Sequence, residues 1–264
     1  MTLFYAIGDI HGYADQLERA LSLIDADGGS DAPLVFLGDL VDRGPDSRGV
    51  IERVKRGQDE GRDWTCVLGN HDRMFLRFVT EGIMHDDHIA SGKSWLHPAL
   101  GGPMTLASYG ITADAPPVLT QEARGVPETL ESFVHKGERL DQAGLAALAR
   151  EMVPTEHLDW IAALPRTHEA HGFTFVHAGL RPGVPLADQV EDDLVWIREG
   201  WLDSDGHAAH MVVHGHTVIE TPTRYPARIN TDAGAGYGNP LVPCCFDGAW
   251  WTLDEGGRRP MATG

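Results

Sequence analysis

Three times within its first seventy residues the chain repeats one pattern: a short apolar run, a Gly-Asp or Gly-Asn turn, then a stretch with apolar residues three and four apart. The runs are Leu3 to Ile7, Leu34 to Leu37 and Trp64 to Leu68, and the helical pattern occupies about Ala14 to Ile24 and Asp46 to Arg56. This predicts a βαβαβ unit in which every polar motif follows a strand. In open α/β sheets ligands bind beyond the carboxyl ends of the strands, so motifs far apart in sequence are expected to meet in one crevice.

From about Met74 to Ala170 the chain turns polar and is punctuated by Pro and Gly, with helical patterns at Leu140 to Arg150 and Glu156 to Leu164 and a glycine-rich loop at Gly101 and Gly102. This predicts a helical insertion. Strand patterns return at Phe173 to Val176, Met211 to Val213, Ala227 to Asn230, Leu241 to Phe246 and Ala249 to Leu253. They are expected to build a second sheet that completes a sandwich, with a frayed tail after Asp254. At 264 residues the expectation is one α/β domain.

The formal charge of −18 argues against an extended nucleic-acid groove or an anionic membrane surface as partner. An anionic substrate would need a local positive site, which bound cations can supply. No run is apolar enough to span a bilayer, and Met1 to Tyr13 leads into a strand rather than a signal core, so the expectation is a cytoplasmic protein. Cys66, Cys244 and Cys245 form no spaced framework, and the last two would face opposite sides of one strand; no disulfide is expected.

The first motif, Gly8-Asp9-Ile10-His11-Gly12, sets a carboxylate and an imidazole two residues apart just past a strand, so both side chains are expected to leave the same face of an extended segment. Together they can grip one metal ion. The second, Gly38-Asp39-Leu40-Val41-Asp42-Arg43-Gly44, offers a carboxylate suited to bridging two ions, a second carboxylate and a guanidinium. The third, Gly69-Asn70-His71-Asp72, adds an amide oxygen and a histidine, with a glycine that permits a tight turn. His177 in Phe175-Val176-His177-Ala178-Gly179 and the pair His214-Gly215-His216 also follow apolar strands. Each alone is weak; five strand-end motifs of ligand-type residues together point to a dinuclear centre. The mix of imidazole with oxygen ligands suits Mn, or Fe and Zn, better than Mg or Ca.

Taken together, the Gly-Asp-Ile-His-Gly, Gly-Asp-Leu-Val-Asp-Arg-Gly, Gly-Asn-His-Asp, His177-Ala178-Gly179 and Val213-His214-Gly215-His216 motifs resemble the calcineurin-like metallophosphoesterase superfamily, most closely its bacterial phosphoprotein-phosphatase branch. The resemblance runs from about Met1 to Trp251. It implies a β-sandwich of two mixed sheets flanked by helices, and two divalent metal ions. Asp9, His11, Asp39 and His216 would hold the first ion, and Asp39, Asn70, His177 and His214 the second. It further implies attack by a metal-bridging hydroxide, since two ions about 3.5–4 Å apart lower the pKa of a shared water. His71 is the expected general acid, with Asp42 orienting its ring, and Arg43 and Arg198 bind phosphate oxygens, Arg181 being the fallback for Arg198.

A serine/threonine protein phosphatase is the first functional expectation, because Asp42 and Arg43 stand as in that branch. A diadenosine tetraphosphatase-like nucleotide hydrolase is the second, prompted by Asp72, and a non-catalytic protein of the same fold is the third. His85 and His88, flanking Asp86-Asp87, are expected in a solvated turn, and His207 and His210 likewise. Trp95, Trp160, Trp196, Trp201, Trp250 and Trp251 are expected to be packing residues, with Trp201 and Tyr237 as candidate cleft residues.

Overall fold

The computed structural model describes residues 3–114, 133–204 and 210–264. Its amino-terminal repeat forms as the apolar pattern requires: β1 (Phe4–Ile7), α1 (Ala14–Ala26), β2 (Leu34–Phe36), α2 (Ser47–Asp59), β3 (Trp64–Cys66) and α3 (Asn70–Glu81). The three strands run parallel, with Ile7 beside Phe36 and Phe36 beside Cys66. Their carboxyl ends are therefore flush, and all three motifs leave the same edge. Helix α2 starts where the Asp46 side chain accepts from the Gly49 N–H at 2.8 Å, satisfying one of the donors that a helix start leaves unpaired.

The segment expected as an insertion from Met74 onward in fact begins inside α3, which completes the third strand–helix repeat. It continues through α4 (Gly102–Ser108), the small hairpin β4 (Val134–His135) and β5 (Glu138–Arg139), α5 (Gln142–Met152) and α6 (Thr155–Ala162). The second half supplies β6 (Thr167–Ala170), β7 (Phe173–Val176), α7 (Glu191–Trp196), β8 (Met211–His214), β9 (Thr223–Arg224), β10 (Arg228–Asn230), β11 (Cys244–Phe246), β12 (Trp250–Asp254), β13 (Gly257–Pro260) and β14 (Ala262–Thr263). The two large sheets have the orders β13-β12-β11-β1-β2-β3 and β14-β9-β10-β8-β7-β6.

Two expectations fail here. Strands β11 and β12 extend the first sheet, β11 lying antiparallel to β1, rather than joining the second. The tail after Asp254 is not frayed: β13 pairs with β12, and β14 crosses to pair with β9, so the last residues tie the sheets together. Alternation reports which residues face a core, not which edge a strand will join.

The layers follow from alternation in β1, which is buried on both faces. Phe4 and Ala6 point between the sheets, where they meet Phe173, Phe175, Val213, Ile229, Cys244 and Trp250. Tyr5 and Ile7 point the other way, into the core shared with α1, α2 and α3, which also takes Cys245. A third cluster, Val176, Leu180, Leu194, Val195, Trp201 and Val212, packs α7 onto the outer face of the second sheet. The result is helix, sheet, sheet, helix. In the second sheet β7, β8 and β10 are parallel, with Phe175 beside Val213 and His214 beside Asn230, so their ends are flush as well. All three cysteines are buried free thiols. Among the described residues no helix is long and apolar enough to cross a membrane.

Candidate active site

Where the strands end, the backbone leaves the extended region. Seven described non-glycine residues have positive φ, and five of them belong to the motifs: His11 (51°), Asp39 (50°), Asp42 (74°), Arg43 (69°) and His216 (62°). Left-handed conformations cost L-residues energy and persist only where surrounding contacts impose them, so their concentration here marks a site whose geometry is held against local preference. The two residues of each His/Asp pair thus converge through turns, not through the two-residue repeat of an extended strand.

Asp9, His11, Asp39, Asn70, His177 and His216 are each at most 6% exposed. His11 presents Nδ1 to the Val41 carbonyl at 2.9 Å, and His177 presents Nδ1 to the Leu37 carbonyl at 2.7 Å. A carbonyl only accepts, so both rings carry their proton on Nδ1 and turn a bare Nε2 inward. Around Nε2 of His177 stand the Asn70 amide oxygen at 2.8 Å, His216 Nδ1 at 3.2 Å and Asp39 Oδ1 at 3.5 Å. Nε2 of His11 faces Asp39 Oδ2 at 3.6 Å and Asp9 Oδ2 at 3.9 Å. Ligand atoms of Asp39, His177 and His216 lie within 4.8 Å of one another, as do those of His11, Asp39 and His71. Asp39 is common to both groups and gives each a different oxygen.

The charges agree. Burial, then Asp232, then Asp39 pushes the Asp9 carboxyl well up, and burial followed by Asp72 does the same to Asp39. Burial pushes His11 and His216 well down and His177 down to about 3, leaving neutral imidazoles. Imidazole lone pairs aimed at crowded carboxylates, with Arg43 reaching only the His11 side, are costly unless a cation sits among them. The residues fit a pair of divalent ions in donor type, burial and aim.

His214 departs from expectation. Its Nδ1 faces the Gly215 carbonyl at 3.0 Å and its Nε2 faces the Arg228 guanidinium at 3.2 Å, so both nitrogens are engaged away from the two groups. His216 takes the place beside His177 expected of His214, rather than one in the first group. The reason is backbone: His216 is left-handed, so the rings of His214 and His216 do not share a face as they would on a continued strand.

His71 Nδ1 lies 2.6 Å from Asp42 Oδ2, and its Nε2 is 3.0 Å from Arg43 Nη2. Arg43 Nη1 reaches His11 Nε2 at 2.7 Å, and its guanidinium lies over the Tyr237 ring at 4.6 Å. Asp42 is fully buried; burial pushes its carboxyl up to about 8, against the opposing pull of Thr105, Trp95 and Arg43. Burial, then Arg43, holds His71 well down.

These groups open onto a cleft of about 220 Å³ lined by Asp9, Asp39, Arg43, Asn70, His71, His88, Trp196, Arg198, His216, Val218 and Tyr237, among others. Arg198 thus stands at the cleft, its Nη2 3.4 Å from the His216 carbonyl. Arg181 does not: it pairs with Asp193 and lines, with Trp201, a separate pocket of about 300 Å³. Tyr237 is a cleft residue and Trp201 is not. His88 lies exposed in a turn, as expected, at the rim of the cleft. It stacks on Trp196 at the cleft, held by Asp86, which is itself buried against Arg73 and Arg77. His85 is exposed and His210 pairs with Glu169, whereas His207 lies outside the described residues.

Asp72, which prompted the nucleotide-hydrolase expectation, has a structural task. Its carboxylate accepts from the Leu40 N–H at 2.9 Å and the Gly69 N–H at 3.1 Å, so it caps α3 and binds the third motif to the second without entering the cleft. Three site residues were missed. Asp232, buried beside Asp9, was signalled by Asn230-Thr231-Asp232 at a strand end. Trp95 and Thr105, both bonded to Asp42, carried no local signal.

A family model of calcineurin-like phosphoesterases matches residues 2–220. A symmetrical bis(5'-nucleosyl)-tetraphosphatase of Chromobacterium violaceum is 31% identical over 193 residues, which are 71% of this chain and 49% of that protein. The chain thus spans about half the length of that curated relative. A crystal structure provisionally assigned as a diadenosine tetraphosphatase superposes with a TM-score of 0.61 at 24% identity, over 97% of this chain and 95% of that one. A metallophosphoesterase from Sphaerobacter thermophilus gives 0.51 at 16% identity, over 98% and 89%. These two likenesses show a shared fold. With 219 of 264 residues matched and the strand-end groups brought together, the chain belongs to the calcineurin-like phosphoesterase family.

Proposed function

We propose that this chain is a metal-dependent phosphoester hydrolase with two ions sharing Asp39, and that its substrate is a dinucleoside polyphosphate. The observation that carries the catalytic reading is the aim of Asp39, with Oδ2 toward His11 and Oδ1 toward His177. Asp9, His11 and Asp39 would hold one ion; Asp39, Asn70, His177 and His216 would hold the other. Manganese suits the mixed nitrogen and oxygen set, with iron or zinc as alternatives. When bound, such a pair lowers the pKa of a shared water and neutralises charge on the transferring phosphoryl group.

The protein's own residues do the rest. Arg43 and Arg198 reach into the cleft and bind phosphoryl oxygens, Arg43 with two parallel N–H donors. A bound phosphate draws the Arg43 guanidinium away from His71 and brings negative charge to Nε2, so the ring can carry a second proton. His71 then gives that proton from Nε2 to the leaving oxygen, while Asp42 accepts from Nδ1 and steadies the imidazolium. The tetraphosphatase relative supports the nucleotide substrate, and Trp196, His88 and Tyr237 supply aromatic faces at the cleft for bases to stack on.

A phosphoserine or phosphothreonine protein is the second reading. The Asp42–His71 pair favours it, because a seryl oxygen is a poor leaving group that needs a proton. A cytoplasmic site of action belongs to the same proposal, and three free thiols are compatible with it.

The test compares kcat/KM for diadenosine tetraphosphate, a phosphoserine peptide and phenyl phosphate on manganese-loaded protein. A preference for the dinucleotide is expected; a preference for the peptide would make the second reading the first. His71→Asn should keep its metal and lose about 10²–10⁴-fold in kcat on phenyl phosphate. Full turnover in that variant removes His71 from the acid role.

A further inference from the structure

The segment between α3 and α4, and α4 itself, reach back onto the second motif. Trp95 donates its indole N–H to Asp42 Oδ2 at 2.8 Å, and Thr105 lies 2.6 Å from Asp42 Oδ1. Both are fully buried. Thr105 Oγ1 also accepts from the Asp42 backbone N–H at 2.9 Å and lies 3.0 Å from Ser47 Oγ.

The directions of these bonds follow from capacity. A carboxylate bonded to an indole N–H and to the His71 ring accepts, so the one Thr105 hydroxyl proton goes to Oδ1. The Thr105 lone pairs then take the Asp42 N–H and the Ser47 hydroxyl, which fills every position on the oxygen. The turn held this way is a strained one, with Asp42 and Arg43 both left-handed. Packing adds to it, since an added Cβ at Gly101 would collide with the Arg43 backbone.

We propose that Trp95 and Thr105 are positioning residues for proton transfer: donating to both oxygens of Asp42, they replace the water that burial removes and hold it aligned as the acceptor for His71 Nδ1. Nothing in the motifs requires them, and neither touches the cleft. With Asp42 fixed, the His71 ring has one tautomer and one aim, Nε2 toward the cleft. Without either donor the carboxylate can rotate away from His71 Nδ1, and the ring loses its fixed aim. The inference rests on the reading of His71 as proton donor.

Leaving-group dependence tests it, because a purely structural role slows all substrates alike. Trp95→Phe keeps an aromatic ring against Phe75 and Phe78 and removes the N–H. Thr105→Val keeps the shape and removes the hydroxyl, and Thr105→Ser restores it. On manganese-loaded protein, Trp95→Phe and Thr105→Val should each lose about ten- to a hundredfold in kcat on phenyl phosphate, with KM unchanged, since each removes one bond to a charged group. On 2,4-dinitrophenyl phosphate, whose leaving group needs no proton, the loss should be below about threefold. Thr105→Ser should recover most of the phenyl phosphate rate.

Equal losses on both substrates, or no loss on either, in variants whose parent responds to His71→Asn in the leaving-group-dependent way, would overturn the proposal alone. If His71→Asn itself lowers both rates equally, the acid assignment falls and the proposal with it. The two substitutions act on opposite oxygens of one carboxylate, so if one variant fails to fold the other decides.

Discussion

Gly69→Ala puts the spatial argument at risk most sharply. Gly69 has φ −95° and ψ 166°, an extended conformation open to any residue, so the tight-turn role expected of this glycine is not the reason it is there. Space is. A Cβ at this position would sit 3.0 Å from Asp39 Cα and closer still to its backbone nitrogen and Oδ1. Ordinary contacts to carbon are about 3.5–4.0 Å, so to clear its nitrogen and Oδ1 Asp39 must retreat by roughly 1 Å or more. That carboxylate also accepts the His71 N–H at 2.9 Å, which couples its movement to the start of α3. A misplacement of about 1 Å in a catalytic group costs on the order of a hundredfold in rate, and overpacking costs about 1–3 kcal/mol of stability. Gly61→Ala is the control: Gly61 has φ +82° with no heavy atom within 4 Å, so it should lose about 1–2 kcal/mol and no activity. The assay is phenyl phosphate hydrolysis with manganese titration, alongside urea unfolding. A Gly69→Ala protein with wild-type kcat and manganese affinity would refute the claim that Asp39 is held by contact with this turn.

The two histidines of β8 and its turn should behave oppositely: His216→Ala should lose manganese affinity and turnover, whereas His214→Ala should keep its metal by calorimetry and lose about 1–3 kcal/mol in urea unfolding, from the stranded Arg228 guanidinium. Asp39→Asn should lose metal and activity together, as metal analysis paired with a turnover assay will show. His157 carries a pH prediction. It is buried with Nδ1 2.9 Å from the Tyr109 hydroxyl, and burial lowers its pKa below the unfolded value of about 6.5. Its folded form therefore binds fewer protons, so its contribution is whole above about pH 6.5 and is lost as pH falls toward the folded pKa, by at most about 1.4 kcal/mol per pH unit. The fall in urea midpoint from pH 7.5 to 5.5 should accordingly be smaller in His157→Phe; an unchanged fall would contradict the assignment.

The first half of the fold was legible because each repeat is local: apolar run, glycine turn and amphipathic helix lie within about thirty residues, and parallel pairing then brings the motifs to one edge. Site residues within those motifs could be read for the same reason. What sequence did not disclose depended on tertiary contact. Trp95 and Thr105 meet Asp42 across 53 and 63 residues, from a segment with no motif of its own. His214 was expected as a ligand on the resemblance, and no motif reports that its ring is engaged by Arg228 or that His216 turns left-handed. Asp72 prompted the nucleotide-hydrolase expectation because its motif resembles that of the diadenosine tetraphosphatases, and that its carboxylate is taken by two backbone N–H groups depends on tertiary contact. Strand β11 was recognisable as a strand, but its partner β1 was not, since both neighbours offer the same apolar alternation.

Anomalous diffraction at the manganese edge, on crystals of protein loaded with manganese and assayed before and after chelation, tests the central claim most directly. Two peaks are expected to flank the Asp39 carboxylate, one beside Asp9 and His11 and the other beside Asn70, His177 and His216, with activity lost on chelation and regained with the metal. Peaks at other side chains, or full activity in metal-free protein, would contradict it.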